Sequence, residues 1–127
     1  MNSLLKILVV DDGDLKRILL AHHLLLRFPS ARITQCDSGA AAIELIKVNP
    51  FDAVVTDNNM SPVTGIELIL WIRSNVGHMP IVMISGNPHI EEAALKAGAD
   101  AVLNSLQFKK LGATLAKLLG ETGPGDL

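Results

Sequence analysis

The chain has 127 residues, 49% of them hydrophobic and 19% charged, with a formal net charge of -2. That length and apolar content suit one compact domain and exclude a disordered segment. Lysines and arginines are scattered, which leaves no basic footprint for nucleic acid or an anionic membrane surface. The single cysteine, Cys36, excludes a disulfide framework or a thiolate metal site within the chain and fits a reducing cytoplasm.

In chain order, the apolar run Leu4 to Val10 is broken by Lys6 and followed by two aspartates. It is too short to span a membrane and is expected as a buried strand rather than a signal sequence. Short apolar or β-branched runs then alternate about five times with longer amphipathic stretches, which predicts a parallel sheet covered by helices. The strands are expected at Leu5–Val10, Arg32–Cys36, Asp52–Thr56, Ile81–Ser85 and Asp100–Leu103. The first, third and fourth are nearly continuous apolar runs, as strands buried on both faces require.

Helices are expected at Asp14–Phe28, Ser38–Val48, Gly65–Ser74, Ile90–Ala97 and Gln107–Leu119. Thr64 stands three residues before Glu67, the spacing of a reciprocal cap at a helix start. Gly98 and Gly120 are placed to end the fourth and fifth helices. Residues 1–120 are expected to form one domain and 121–127 a flexible tail.

Ligands of an open parallel sheet bind beyond the carboxyl ends of its strands. Strand one ends in Asp11-Asp12 and strand three in Asp57, three carboxylates where neighbouring strands emerge. Such a set of hard oxygen donors suits Mg²⁺. Without a cation, their mutual repulsion makes at least one easier to protonate. With the charge neutralised, one carboxylate can attack a phosphoryl group; Asp57 is the choice, because Asp11 and Asp12 form a natural metal-holding pair. Ser85, at the end of strand four, offers a hydroxyl to a phosphoryl oxygen. Taken singly, Asp11, Asp12 and Ser85 also fit plain capping or turn roles; the four together favour a site.

Nearly the whole chain resembles the receiver domains of two-component signalling, the CheY-like family. Asp11-Asp12 look like the family's metal-binding pair, and Asp57 in Val-Val-Thr-Asp-Asn-Asn-Met like its phosphoacceptor, with Met60 and Gly65 at the usual spacing. Ser85-Gly86 match the hydroxyl switch and its small neighbour, and Ala97-Gly98-Ala99-Asp100 match the segment entering strand five. The resemblance implies a doubly wound (βα)5, flavodoxin-like three-layer sandwich with parallel strand order 2-1-3-4-5. It implies Mg²⁺ held by Asp11, Asp12, Asp57 and the backbone carbonyl of Asn59, and places Asn59 and Asn87 where the family tunes loss of the phosphoryl group. The implied partners are a sensor histidine kinase or phosphotransfer protein and a downstream protein target, with helix 4, strand 5 and helix 5 as the surface for either a homodimer or a dedicated partner; neither nucleic acid nor membrane is expected.

Where the family has an aromatic residue and then a Lys-Pro pair, this chain reads Val102-Leu103-Asn104-Ser105-Leu106. Val102 replaces the aromatic, Ser105 the lysine and Leu106 the proline, so the bond before Leu106 is expected to be trans. Loss of the lysine is expected to weaken the phosphorylated state, with Lys109 or Lys110 considered as substitutes reaching back from the last helix. Gly13 and Ser61 also depart from frequent family choices, and Pro62 sits one place late.

His22 and His23 are expected to pack or face solvent, His89 to start a helix, Trp71 to pack the third helix and Cys36 to fill the core. Leu111, Leu115, Leu118 and Leu119 form a stripe that docks the last helix on the sheet. Three functions follow: a module controlled by phosphorylation, a pseudo-receiver that binds proteins without phosphate, and an aspartyl phosphatase. The last fails at Asn59, where a second aspartate is needed for acid-base work, and no enzyme activity is expected. A flavin-binding alternative lacks a phosphate loop after strand one.

Overall fold

The computed structural model describes residues 4–120; the tail expected at 121–127 lies outside them. Five parallel strands, β1 (Lys6–Val10), β2 (Arg32–Cys36), β3 (Ala53–Thr56), β4 (Ile81–Ser85) and β5 (Ala101–Asn104), form one sheet in the order β2-β1-β3-β4-β5. The helices are α1 (Asp14–Arg27), α2 (Gly39–Val48), α3 (Gly65–Asn75), α4 (Glu91–Ala97) and α5 (Leu111–Leu118). The flavodoxin-like α/β fold and its strand order are therefore as expected.

Alternation along the central strands creates two cores. Leu8, Val10, Val54, Ile81 and Met83 face α2, α3 and α4, packing with Ala42, Leu68, Ile72 and Ala94. Ile7, Val9, Val55, Val82 and Ile84 face α1 and α5, packing with Leu20, Leu24, Leu111 and Leu115. β3 and β4 are buried throughout, which is why their sequences are continuous apolar runs.

Local signals fix several boundaries. The Thr64–Glu67 capping box is present in both directions and starts α3. Gly98 closes α4 at φ 121°, a conformation costly for any residue with a Cβ. One helix differs from expectation: a 3-10 turn spans Ser105–Lys110, and α5 begins only at Leu111. Asn104 forms its own capping box with Gln107, and Gln107 has non-helical backbone angles, so the chain makes a tight turn before the helix proper. Ser61–Pro62 is the cis peptide among the described residues, so the bond before Leu106 is trans, as expected.

Trp71 packs against the core from α3, and Cys36 is half-buried beside it. The stripe on α5 docks inward as expected: Leu111 and Leu115 are fully buried, with Leu118 and Leu119 packed against them.

Candidate functional site

Asp11 and Asp57 emerge side by side because Val10 and Thr56 are register partners and each aspartate is the next residue. The ladder runs one step further, with the Asp57 N–H donating to the Val10 carbonyl at 3.0 Å and the Asp11 N–H to the Cys36 carbonyl at 3.1 Å. The strand order reverses between β1 and β3, so α1 and α2 leave toward opposite faces and a crevice opens above this pair.

Both carboxylates are buried, Asp11 at 2% exposure and Asp57 at 7%, whereas Asp12 faces solvent. One carboxylate oxygen from each of Asp11, Asp12 and Asp57 lies within 4.8 Å of the others. Burial raises the Asp11 carboxyl above its ordinary value, and the Asp57 charge adds to the rise; the Gly13 N–H and Lys16 oppose it. The Gly13 N–H donates to Asp11 Oδ1 at 2.9 Å. Asp11 Oδ2, among the described residues, is the buried side-chain oxygen with no hydrogen bond. Three carboxylates gathered this closely, one with an oxygen that accepts no hydrogen bond, are a donor set that fits a hard divalent cation.

Asp57 owes its placement to its neighbours. Its carbonyl oxygen accepts from the buried Thr56 hydroxyl at 2.8 Å. The chain then reverses tightly: Asn58 accepts at its carbonyl from Met60 N–H at 2.8 Å and Gly65 N–H at 3.1 Å, and at its side-chain oxygen from Ile66 N–H at 3.0 Å. Asn58 thus ties the end of β3 to the start of α3. Gly65 is required there, because a Cβ would overlap the Asp57 carbonyl and stand 2.8 Å from Asn58 Cα. The family's spacing at Gly65 therefore has a steric cause.

Ser85 is 4% exposed, and its oxygen accepts from the Asn87 N–H at 3.1 Å, which leaves the hydroxyl proton available to another acceptor. Asp57, Asn58, Asn59, Ser85, Gly86 and Asn87 line one open cavity of about 250 Å³, together with Lys16. Four of the expected site residues are thus in place around the crevice: Asp11, Asp12, Asp57 and Ser85. Asn59 is exposed at its rim. His89 is exposed, with its N–H bound to the Asn87 side chain at 2.9 Å.

Two residues of α1 complete the site. Lys16 Nζ donates to the Ile84 carbonyl at 3.0 Å and lies 3.2 Å from Asp11 Oδ2 and 3.5 Å from Asp57 Oδ1. The 3.2 Å approach gives the buried Asp11 Oδ2 a charged partner although it accepts no hydrogen bond. Arg17 Nη1 donates to the Asp11 carbonyl at 2.9 Å and Nη2 to Asp14 at 2.8 Å, fixing the turn after β1. Lys16 escapes the sequence reading. Its place in the first turn of the helix after the acidic pair, with helical side chains leaning toward the N-terminus, is a partial signal that becomes specific only once the strand ends lie beneath it. Lys109 and Lys110, weighed as substitutes from the last helix, are exposed on the 3-10 turn.

Comparison with known proteins agrees with this geometry. The family model of the response regulator receiver domain matches residues 7–113. The chemotaxis protein CheY-3 of Vibrio cholerae is 35% identical over 108 residues, covering 81% of this chain and 82% of that protein. The response regulator MprA of Mycobacterium sp. is 34% identical over 95% of this chain, which spans only 53% of MprA. Among solved structures, the signal receiver domain of the putative response regulator NarL from Mycobacterium tuberculosis superposes with a TM-score of 0.78 at 28% identity, covering 91% of this chain and 98% of that one. The chain belongs to the response regulator receiver domain family.

Proposed function

We propose that the chain is a phosphoacceptor module of a two-component phosphorelay, phosphorylated on Asp57 with Mg²⁺ and signalling through protein contacts. The observation that carries this reading is the buried Asp57 carboxylate opening into a cavity shared with Lys16 and Ser85. An Asp57 oxygen attacks phosphorus of a phosphohistidine on a kinase or phosphotransfer protein. The P–O bond forms as the P–N bond breaks, and the electron pair returns to the imidazole nitrogen. Ser85 donates its hydroxyl proton to a phosphoryl oxygen of the acyl phosphate.

Asp11, Asp12, Asp57 and the Asn59 carbonyl are the groups that would hold Mg²⁺. When bound, the ion offsets the charge of the carboxylates and of the incoming phosphoryl oxygens. The convergence of the Asp11, Asp12 and Asp57 carboxylates within 4.8 Å supports this assignment.

The module is a stoichiometric acceptor rather than an enzyme, since residue 59 is an amide with no acid-base capacity. Exposed Leu15 and Leu19 on α1 line a cavity beside Lys16 and give a phosphodonor protein an apolar surface. The face formed by α4, β5 and the following turn exposes Leu95 and Leu106, which suits a dimer or a downstream target. Light scattering over a concentration series tests the dimer, which is discarded if the mass stays monomeric. No helix among the described residues is long and apolar enough to cross a membrane, and the single half-buried cysteine fits a cytoplasmic setting.

The reading is tested by intact mass after incubation with a small-molecule phosphodonor, with Mg²⁺ or with chelator. One phosphoryl mass is expected with Mg²⁺ alone. No gain in either condition would favour a pseudo-receiver that binds proteins independently of phosphate.

A further inference from the structure

We infer that Lys16, supplied by α1, is the cation that contacts the phosphoryl group on Asp57, replacing the lysine absent at Ser105; this rests on the phosphoacceptor reading above. Lys16 Nζ already bridges the ends of three adjacent strands through Asp11, Asp57 and the Ile84 carbonyl. It also lines the same cavity as Asp57 and Ser85, the space into which a phosphoryl group on Asp57 must project.

The route of the side chain accounts for the exchange. α1 begins at Asp14, so residue 16 lies in its first turn, and its stem points back over the strand ends. The stem borders an apolar cavity of about 190 Å³ that is also lined by Leu19, Ile84, Ser105 and Phe108. Ser105 Oγ falls 3.7 Å from where a Cβ on Gly86 would stand, so a long side chain at residue 105 has a path toward the same crevice. Two lysines converging there would repel each other. The small serine at 105 and the lysine at 16 are complementary choices that deliver one positive charge to one place.

Two of the three oxygens that Lys16 faces are carboxylate oxygens, and one belongs to the reacting group. When the acyl phosphate forms, the ammonium donates a hydrogen bond to a phosphoryl oxygen. Its side chain is 30% exposed, which keeps the effect at the lower end of a charge-assisted hydrogen bond.

The test uses Mg²⁺ with beryllium trifluoride, a tetrahedral phosphoryl mimic, and reads equilibrium affinity by fluorine NMR. The proteins compared are the parent, Lys16→Met, Lys16→Gln, Lys16→Arg and the double variant Lys16→Met with Ser105→Lys. Thermal melts by circular dichroism confirm folding, and Lys16→Gln serves if Lys16→Met does not fold. Removing the charge is expected to weaken the mimic on the order of tenfold, and either Lys16→Arg or the added lysine at 105 is expected to restore most of it. Lys16 is overturned as the phosphoryl contact if the neutral variants bind like the parent. It is equally overturned if neither restored cation recovers a loss, since the residue would then act only on structure. Failure of the parent itself to bind the mimic overturns the phosphoacceptor reading as well, and so is distinct from both.

Discussion

The Asp57 carbonyl oxygen occupies the place that a side chain at residue 65 would need, so Asp57 and the first residue of α3 fit only if the latter is glycine. The pair is locked by Asn58, whose carbonyl and side chain accept from Gly65 and Ile66 N–H groups. Gly65→Ala therefore forces the loop after β3 away from α3. A loss of about 3 kcal/mol is expected, the upper range for inserting a methyl into a closed contact, and urea denaturation measures it. Parent-like stability would mean that the loop yields without strain.

Arg73 ties the far end of the sheet together. Its guanidinium donates to the carbonyls of Gly77, Met79 and Gly98 at 2.7–3.0 Å and to Asp100 Oδ2 at 3.0 Å. Asp100 in turn accepts from the Ile81 N–H at 2.8 Å. Since these carbonyls lie at the opposite end of β4 from Ser85, Arg73→Met is expected to cost about 2–4 kcal/mol, because several charged hydrogen bonds vanish together. Phosphorylation yield should be unchanged wherever the variant remains folded. Mass spectrometry beside a denaturation curve separates the two effects.

His23 gives the fold a pH dependence. Its Nε2 accepts from the Gly112 N–H at 3.3 Å, joining α1 to α5, and its ring meets Phe108 edge to face. Burial lowers its pKa from the ordinary 6.5, and the neighbouring His22 charge lowers it further. The unfolded chain therefore binds the proton first, and this stabilising contribution is present above 6.5 and lost as pH falls through the lower folded value. Melting temperature is expected to fall between about pH 7 and pH 5, and less steeply in His23→Gln, which keeps an acceptor for Gly112. Equal slopes in the two proteins would assign the change to other groups.

Much of this was legible from the chain. Continuous apolar runs located β1, β3 and β4, the Thr64–Glu67 spacing located α3, and the acids after β1 and β3 located the crevice. What escaped depended on side chains reaching across elements. Lys16 is one lysine on an amphipathic helix until β1, β3 and β4 are brought beneath it. The 3-10 turn before α5 depended on Asn104 and Gln107 bonding to each other's backbone, against a helical periodicity that continues through the turn.

Locating the phosphoryl group tests the assignment of Asp57 most directly. After treatment with phosphodonor and Mg²⁺, hydride reduction converts an acyl phosphate to an alcohol at the modified residue, which peptide mass spectrometry identifies. The expected result is reduction at Asp57 and nowhere else, with none in Asp57→Asn. Reduction at Asp11 or Asp12, or an unmodified chain, would contradict it.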